Sequence, residues 1–227
     1  MLVQIPQVLN QKQVQLMRQR LGESDSWVDG RVTAGHQGVA VKRNQQIAEG
    51  SLIANELGNL ILEALESNPL FISTALPNNV YPPMFNRYGE SMQFGSHVDG
   101  AIRLIPGTGI KFRTDISATL FLSDPHEYDG GELLIEDAYG MRAVKMYAGD
   151  MIVYPATSLH QVKPITRGER VASFFWIQSL IRDDSQRTLL YDLDRSIQHL
   201  TATNADEAAR IQLTGCYHNL LRMWSEL

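Results

Sequence analysis

The stretch Phe94–Gly100, FGSHVDG, sets a histidine and an aspartate one residue apart, at His97 and Asp99. By itself a His-x-Asp pair is also what two polar residues at the end of a strand look like. A third candidate ligand is His160, which follows the apolar run in GDMIVYPATSLHQV. Two imidazoles and one carboxylate can occupy one face of an octahedron and leave three positions open. That donor set suits non-haem Fe(II), which must bind both a co-substrate and oxygen. A structural zinc would need four closed ligands. Ten residues after His160 comes Arg170, at the start of RVASFFWIQSL. Strand alternation puts Arg170, Ala172, Phe174 and Trp176 on one face, taken as the barrel interior. A buried guanidinium without a partner is costly, and a bound dicarboxylate would satisfy it through two charged hydrogen bonds. The competing reading is a strand-end arginine paired with Glu169. The remaining histidines read as solvated: His36 in AGHQG, His126 in SDPHEYDGG, and His199 and His218 in the helical tail.

Strands must bring these residues together, and the chain divides into three zones. Residues 1–78 mix helix and strand and read as a lead-in packed on the core. Asn10 is an N-cap for a helix burying Val14, Met17 and Leu21 that stops at Gly22, and residues 45–67 read as one longer amphipathic helix. Residues 79–178 are strand-rich. ISATLFLSD alternates, GGELLIEDAYGMRAVKMYAGD forms a hairpin around Asp137–Gly140, and MIVYP and RVASFFWIQSL are further strands. Short strands separated by turns, without crossover helices, indicate an antiparallel jelly roll. Residues 179–227 turn helical again, giving an α+β chain with helices added at both ends of the core.

Composition sets limits on function. Of 227 residues 44% are hydrophobic and 20% charged, which supports a well-buried core. A net charge of −5 argues against a basic protein that coats nucleic acid, while leaving room for a local basic pocket. Cys216 is the only cysteine, so no internal disulfide or cysteine-based zinc cluster is expected. MLVQIPQVLNQKQ lacks the character of a signal peptide, and no apolar stretch has the length to span a bilayer. A cytoplasmic protein is the expectation.

His97-x-Asp99, then His160, then Arg170, is the pattern of the Fe(II)- and 2-oxoglutarate-dependent dioxygenases. FNRYGESMQFGSHVDGAI, DGGELLIED, GDMIVYPATSLHQVKPITRGERVASFFWIQS and WVDGRVTAGHQGVAVKRN resemble the bacterial PKHD-type hydroxylases, the prolyl/lysyl-hydroxylase-like branch, across essentially the whole chain. The resemblance implies a double-stranded β-helix core and hydroxylation of a substrate C–H bond with release of succinate and carbon dioxide. It implies that His97, Asp99 and His160 bind iron and that Arg170 binds the distal carboxylate of 2-oxoglutarate. It also implies contact of Tyr88 with the co-substrate and a place for Trp176 near the metal. Ascorbate could support activity, as it does for relatives. Where several relatives carry tyrosine three residues before the first ligand, this chain has Phe94.

The segment GAIRLIPGTGIKFRTD, residues 100–114 and the aspartate that follows, carries Arg103, Lys111 and Arg113 and reads as a lid favouring an anionic or polar target. Two other readings stay open: a cupin-like metalloenzyme that does not use 2-oxoglutarate, and a non-catalytic metal- or 2-oxoglutarate-sensing module. The substrate is a small molecule or peptide of unspecified identity, and the amphipathic C-terminal helices could form a homo-oligomer contact.

Overall fold

The computed structural model describes residues 1–35, 38–204 and 206–227; His36 lies outside the described residues. Two antiparallel sheets form the core. The larger runs, in spatial order, Val3–Ile5, Met151–Pro155, Ile116–Phe121, Arg170–Ser179, Met84–Tyr88, Gln45–Ile47 and Trp27–Asp29, with Pro77–Val80 also paired to Arg170–Ser179. The smaller runs Gly140–Val144, Leu133–Asp137, His160–Val162, Gln93–His97 and Lys42–Arg43. This is the jelly roll expected from the short, turn-separated strands.

The central strands of the larger sheet, Met151–Pro155, Ile116–Phe121 and Arg170–Ser179, are buried on both faces. Ile116, Ala118 and Leu120 pack with Val171, Phe175 and Ile177 against the helices Gln11–Gly22 and Leu52–Glu66. The opposite face turns inward, where Phe121, Ile152 and Tyr154 meet Leu133, Ile135 and Val162 of the smaller sheet. Arg170, Phe174 and Trp176 point into the space between the sheets, as the alternation of RVASFFWIQSL predicts.

The helix Gln11–Gly22 begins at Asn10, whose side chain and that of Gln13 form a reciprocal capping box, and it buries Val14, Met17 and Leu21. The single helix expected over residues 45–67 is not formed. Gln45–Ile47 is instead a strand between Trp27–Asp29 and Met84–Tyr88, and the helix starts at Leu52 behind a Ser51 cap. Gly50, at φ +75°, makes the turn that separates them. The hairpin forms as expected, with Asp137 opposite Gly140 and Tyr139 N donating to Asp137 Oδ1 at 2.8 Å. The chain ends in two helices, Asp184–Ala202 and Glu207–Trp224, whose Leu190, Tyr217, Leu221 and Trp224 pack around Leu76 and Ile181. Among the described residues no helix is long and apolar enough to cross a membrane.

Candidate active site

His97 closes the strand Gln93–His97, Asp99 follows just beyond it, and His160 opens the neighbouring strand directly opposite His97 in register. Antiparallel pairing of two strand ends therefore joins residues far apart in sequence. One ligating atom from each of His97, Asp99 and His160 lies within 4.8 Å of the others. His160 Nε2 is 3.7 Å from Asp99 Oδ2, and the two imidazole centroids are 4.2 Å apart.

Local hydrogen bonds orient all three side chains. His97 Nδ1 lies 2.8 Å from Gly95 O, and His160 Nδ1 lies 2.9 Å from Ser158 O. A carbonyl oxygen only accepts, so each Nδ1 carries the proton and each Nε2 presents a lone pair. Ser117 Oγ donates to Asp99 Oδ2 at 2.6 Å. Burial, reinforced by neighbouring His160, pulls His97 down to about 4, so its ring is neutral at ordinary pH. Phe94 stacks on His97 with centroids 3.5 Å apart and planes 17° from parallel. Phe94 thus serves as an apolar plate that fixes the ring.

Arg170 is 1% exposed, which makes it one of the largest fully buried side chains. Its Nε has no hydrogen-bond partner, and among the described residues no carboxylate lies within salt-bridge distance of it. Glu169 faces Arg87 instead, at 3.9 Å, so the competing strand-end pairing is not made. The guanidinium stands 5.1 Å from the Phe121 ring centre and 5.5 Å from that of Tyr88, its register partner. Burial pushes the Tyr88 phenol up to about 12, with Arg170 acting in the opposite sense. The buried Tyr128 hydroxyl also has no partner, and it is likewise raised by burial and lowered by Arg170.

His97, Asp99, His160, Arg170 and Tyr88 line one cavity of about 600 Å³ between the sheets, which also takes in Trp176, Phe174, Tyr154 and Asn86. Trp176 is 6% exposed with an unpartnered indole N–H, and it meets Phe174 and Tyr81 edge-on. The chemistry of the donor set fits a divalent metal with open positions. The orphaned guanidinium fits a carboxylate from a small anion.

Sequence reasoning missed several lining groups. Lys42 is only 4% exposed, and its Nζ donates to Thr33 Oγ1 at 3.1 Å and stands 5.0 Å over the Phe94 ring. Burial, with Arg103 adding repulsion, pulls Lys42 down to about 8. The segment expected as a lid is in part a hairpin, Ile102–Leu104 paired with Lys111–Arg113. Of its three basic residues only Arg103 lines the cavity. Arg113 turns away to Asp115 at 2.7 Å, Glu226 at 2.9 Å and Ser179 O at 3.2 Å, which corrects its expected place at the site. His126, His199 and His218 lie outside the cavity.

A family model of the 2OG-Fe(II) oxygenase superfamily matches residues 83–178, and one of the PKHD-type hydroxylase C-terminal domain matches residues 184–226. The chain is 66% identical over 227 residues, 100% of both chains, to a PKHD-type hydroxylase of Paraburkholderia xenovorans strain LB400. The chain belongs to the PKHD-type hydroxylases. A second PKHD-type hydroxylase, from Burkholderia ambifaria strain AMMD, is 68% identical over 227 residues, again 100% of both chains. Among solved structures, a Pseudomonas putida prolyl-4-hydroxylase aligns with a TM-score of 0.52 and 22% identity, over 78% of this chain and 92% of that one. At that identity the likeness speaks for the fold alone. As a PKHD-type hydroxylase with a 2OG-Fe(II) oxygenase domain, the chain is a 2-oxoglutarate-dependent oxygenase that uses Fe(II).

Proposed function

We propose that His97, Asp99 and His160 hold the iron, that Arg170 holds the distal carboxylate of 2-oxoglutarate, and that the enzyme hydroxylates a C–H bond of a small molecule or peptide. The observation that carries this assignment is the convergence of three ligating atoms within 4.8 Å, with both Nδ1 protons committed to backbone carbonyls. Bound iron, with 2-oxoglutarate and oxygen, supplies the oxidising power for hydroxylation, and succinate and carbon dioxide are released.

The chain's own residues supply placement. Gly95 and Ser158 carbonyls fix the imidazole tautomers, and Ser117 fixes the carboxylate. Arg170 neutralises an anion in a site walled by Tyr88, Phe121 and Tyr128, where charge-assisted hydrogen bonds are strengthened by the exclusion of water. Tyr88 forms the floor beneath the co-substrate, and Trp176 walls the metal side of the cavity. Ascorbate is the reductant expected to sustain repeated turnover. The exposed apolar residues Leu189, Ile211 and Met223 of the C-terminal helices support self-association as the partner arrangement. The exposed, unpaired Cys216 supports a reducing compartment, the cytoplasm.

The test is anaerobic. Fe(II) and 2-oxoglutarate should produce the weak visible charge-transfer band of the chelate, and admitted oxygen should yield succinate. His160→Ala should lose the band. A wild-type protein without the band points to a metalloenzyme independent of 2-oxoglutarate. A band without turnover on any candidate substrate points to a sensing module.

A further inference from the structure

Among the described residues three lysine or arginine side chains line the cavity, and the reading above employs only Arg170. Lys42 and Arg103 remain. Lys42 is nearly sealed from solvent, and among the described residues its side chain donates one hydrogen bond, to the neutral hydroxyl of Thr33, which in turn donates to Gln46 Oε1 at 2.6 Å. Arg103 places its guanidinium 4.2 Å from the Trp176 ring centre and 5.1 Å from that of Tyr81, with its buried Nε unpartnered. Among the described residues neither cation has a carboxylate within salt-bridge distance. The two acids that line the same cavity accept hydrogen bonds from neutral hydroxyls, Asp99 from Ser117 and Glu49 from Tyr81 at 2.6 Å, and neither forms an ion pair with Lys42 or Arg103. Lys42 is desolvated and Arg103 is partly so, with its Nε buried; cationic charge held this way without an ion pair is retained at a cost that an incoming anion would reduce.

The co-substrate cannot be that anion while it sits on Arg170. Phe174 and Trp176 follow Arg170 by four and six residues on the same strand face, about 13 and 20 Å along it at ~3.3 Å per residue. Lys42 lies 5.9 Å from the Phe174 ring centre, and Arg103 lies over Trp176. On the assignment above, 2-oxoglutarate has its far carboxylate on Arg170 and its near one on iron, so neither is free to seat between Lys42 and Arg103. The metal ligands lie beside the second cationic pair. Lys42 covers Phe94, which stacks on His97, while Ser117, the anchor of Asp99, is the register partner of Trp176. Around the mouth, Val32, Val98, Ile102 and Leu104 line the cavity yet remain exposed, an apolar rim without cover.

We propose that Lys42 and Arg103 form a second anion site, and that the substrate has an apolar body bearing a carboxylate-type group that seats between them. The proposal rests on the assignment of Arg170 to 2-oxoglutarate. It makes Lys42 and Arg103 specificity determinants, with the anion anchored close to the iron ligands and the apolar body against the rim.

N-benzoylglycine and its neutral amide, N-benzoylglycinamide, are probes that differ only in the charged group. Calorimetric titration into anaerobic enzyme loaded with Fe(II) and saturated with 2-oxoglutarate should show the acid binding at least ~10-fold more tightly, about the value of one charge-assisted hydrogen bond. Lys42→Met and Arg103→Leu should each erase most of that preference and leave the chelate band in place, while Lys42→Arg should restore it. Equal binding of acid and amide by the wild type, absence of binding by both, or an undiminished preference in both variants overturns the proposal. A variant that melts early is replaced by the other, since Arg103 is half-exposed and Lys42→Arg keeps the charge. A tenfold acid preference in a wild type that lacks the chelate band would overturn the co-substrate assignment and sustain the second anion site.

Discussion

Replacing Arg170 by methionine should separate binding from folding, because the structure predicts opposite signs for the two. The Arg170 guanidinium is 1% exposed, has an orphaned Nε and, among the described residues, has no acid partner. Removing such a charge in favour of an apolar side chain of similar volume is neutral or stabilising by about 1–4 kcal/mol. The contacts over Tyr88 and Phe121 offset about 0.5–2 kcal/mol of that gain. The net expectation is a melting temperature unchanged or raised by a few degrees, at ~2–4 °C per kcal/mol for a chain of this size. Binding moves the other way. Loss of one partner of a buried charge pair costs about 2–5 kcal/mol, which is ~30- to several-thousand-fold in 2-oxoglutarate affinity. Wild-type protein with Fe(II) and 2-oxoglutarate at ~100 times its dissociation constant should gain ~2.7 kcal/mol, or ~5–11 °C. The variant should keep at most about a third of that rise. Scanning calorimetry with and without 2-oxoglutarate reads both effects in one series. A variant that melts several degrees lower when free of ligand, yet keeps the full ligand-induced rise, would refute the reasoning and make Arg170 a structural residue.

Ser117→Ala frees the Asp99 carboxylate from its 2.6 Å hydrogen bond and should weaken Fe(II) affinity about 10–100-fold, measured by competition with a chelator. His97 is held near 4 by burial and by His160, below its unfolded value. The unfolded state therefore binds more protons between pH 6.5 and about 4, and metal-free protein should lose stability as pH falls through that window, at up to ~1.4 kcal/mol per pH unit. Urea titrations at several pH values check the sign, and a midpoint flat from pH 7 to 4 contradicts it. Arg113→Ala cuts the links to Asp115, Glu226 and the Ser179 carbonyl and should cost about 1–3 kcal/mol of stability, seen by melting. It should leave probe binding in the cavity unaltered.

The parts of the site that were legible in the sequence are those encoded by local spacing. His97 and Asp99 are two residues apart on one strand end, and Arg170 shares an alternating face with Phe174 and Trp176, so a period of two suffices to aim them. Convergence of His160 on His97 required only the fold class, because antiparallel pairing of neighbouring strand ends does the rest. Lys42 was invisible for the opposite reason. It enters the cavity through the pairing of Lys42 with Phe94, on a two-residue strand that carries no periodic signal of its own. Gln45–Ile47 was misread because Ile47, with the apolar residues after Gly50, imitates a helical face. Its strand state is decided by the backbone partners it finds on both sides. Arg113 failed likewise: a basic residue near a site can be drawn off by acids distant in sequence, here Glu226.

Charge within the cavity explains why a chain of net −5 has a positive interior. A divalent iron, the Asp99 carboxylate, the Arg170 guanidinium and a doubly negative co-substrate sum to zero. The neutral Nε2 lone pairs of the two histidines add nothing to that sum. Of the two remaining cations, Lys42 and Arg103, the Glu49 carboxylate that lines the same cavity offsets one, so one positive charge stays in surplus however tightly iron and 2-oxoglutarate bind. In a site with low effective dielectric neighbouring cations repel, and Arg103 adds to burial in pulling Lys42 down. Any anion that enters beside them relieves desolvation and repulsion together, whereas a neutral competitor of the same shape relieves neither. Discrimination for charge therefore precedes discrimination for shape at this mouth, and it should persist even when the apolar body of the ligand is varied.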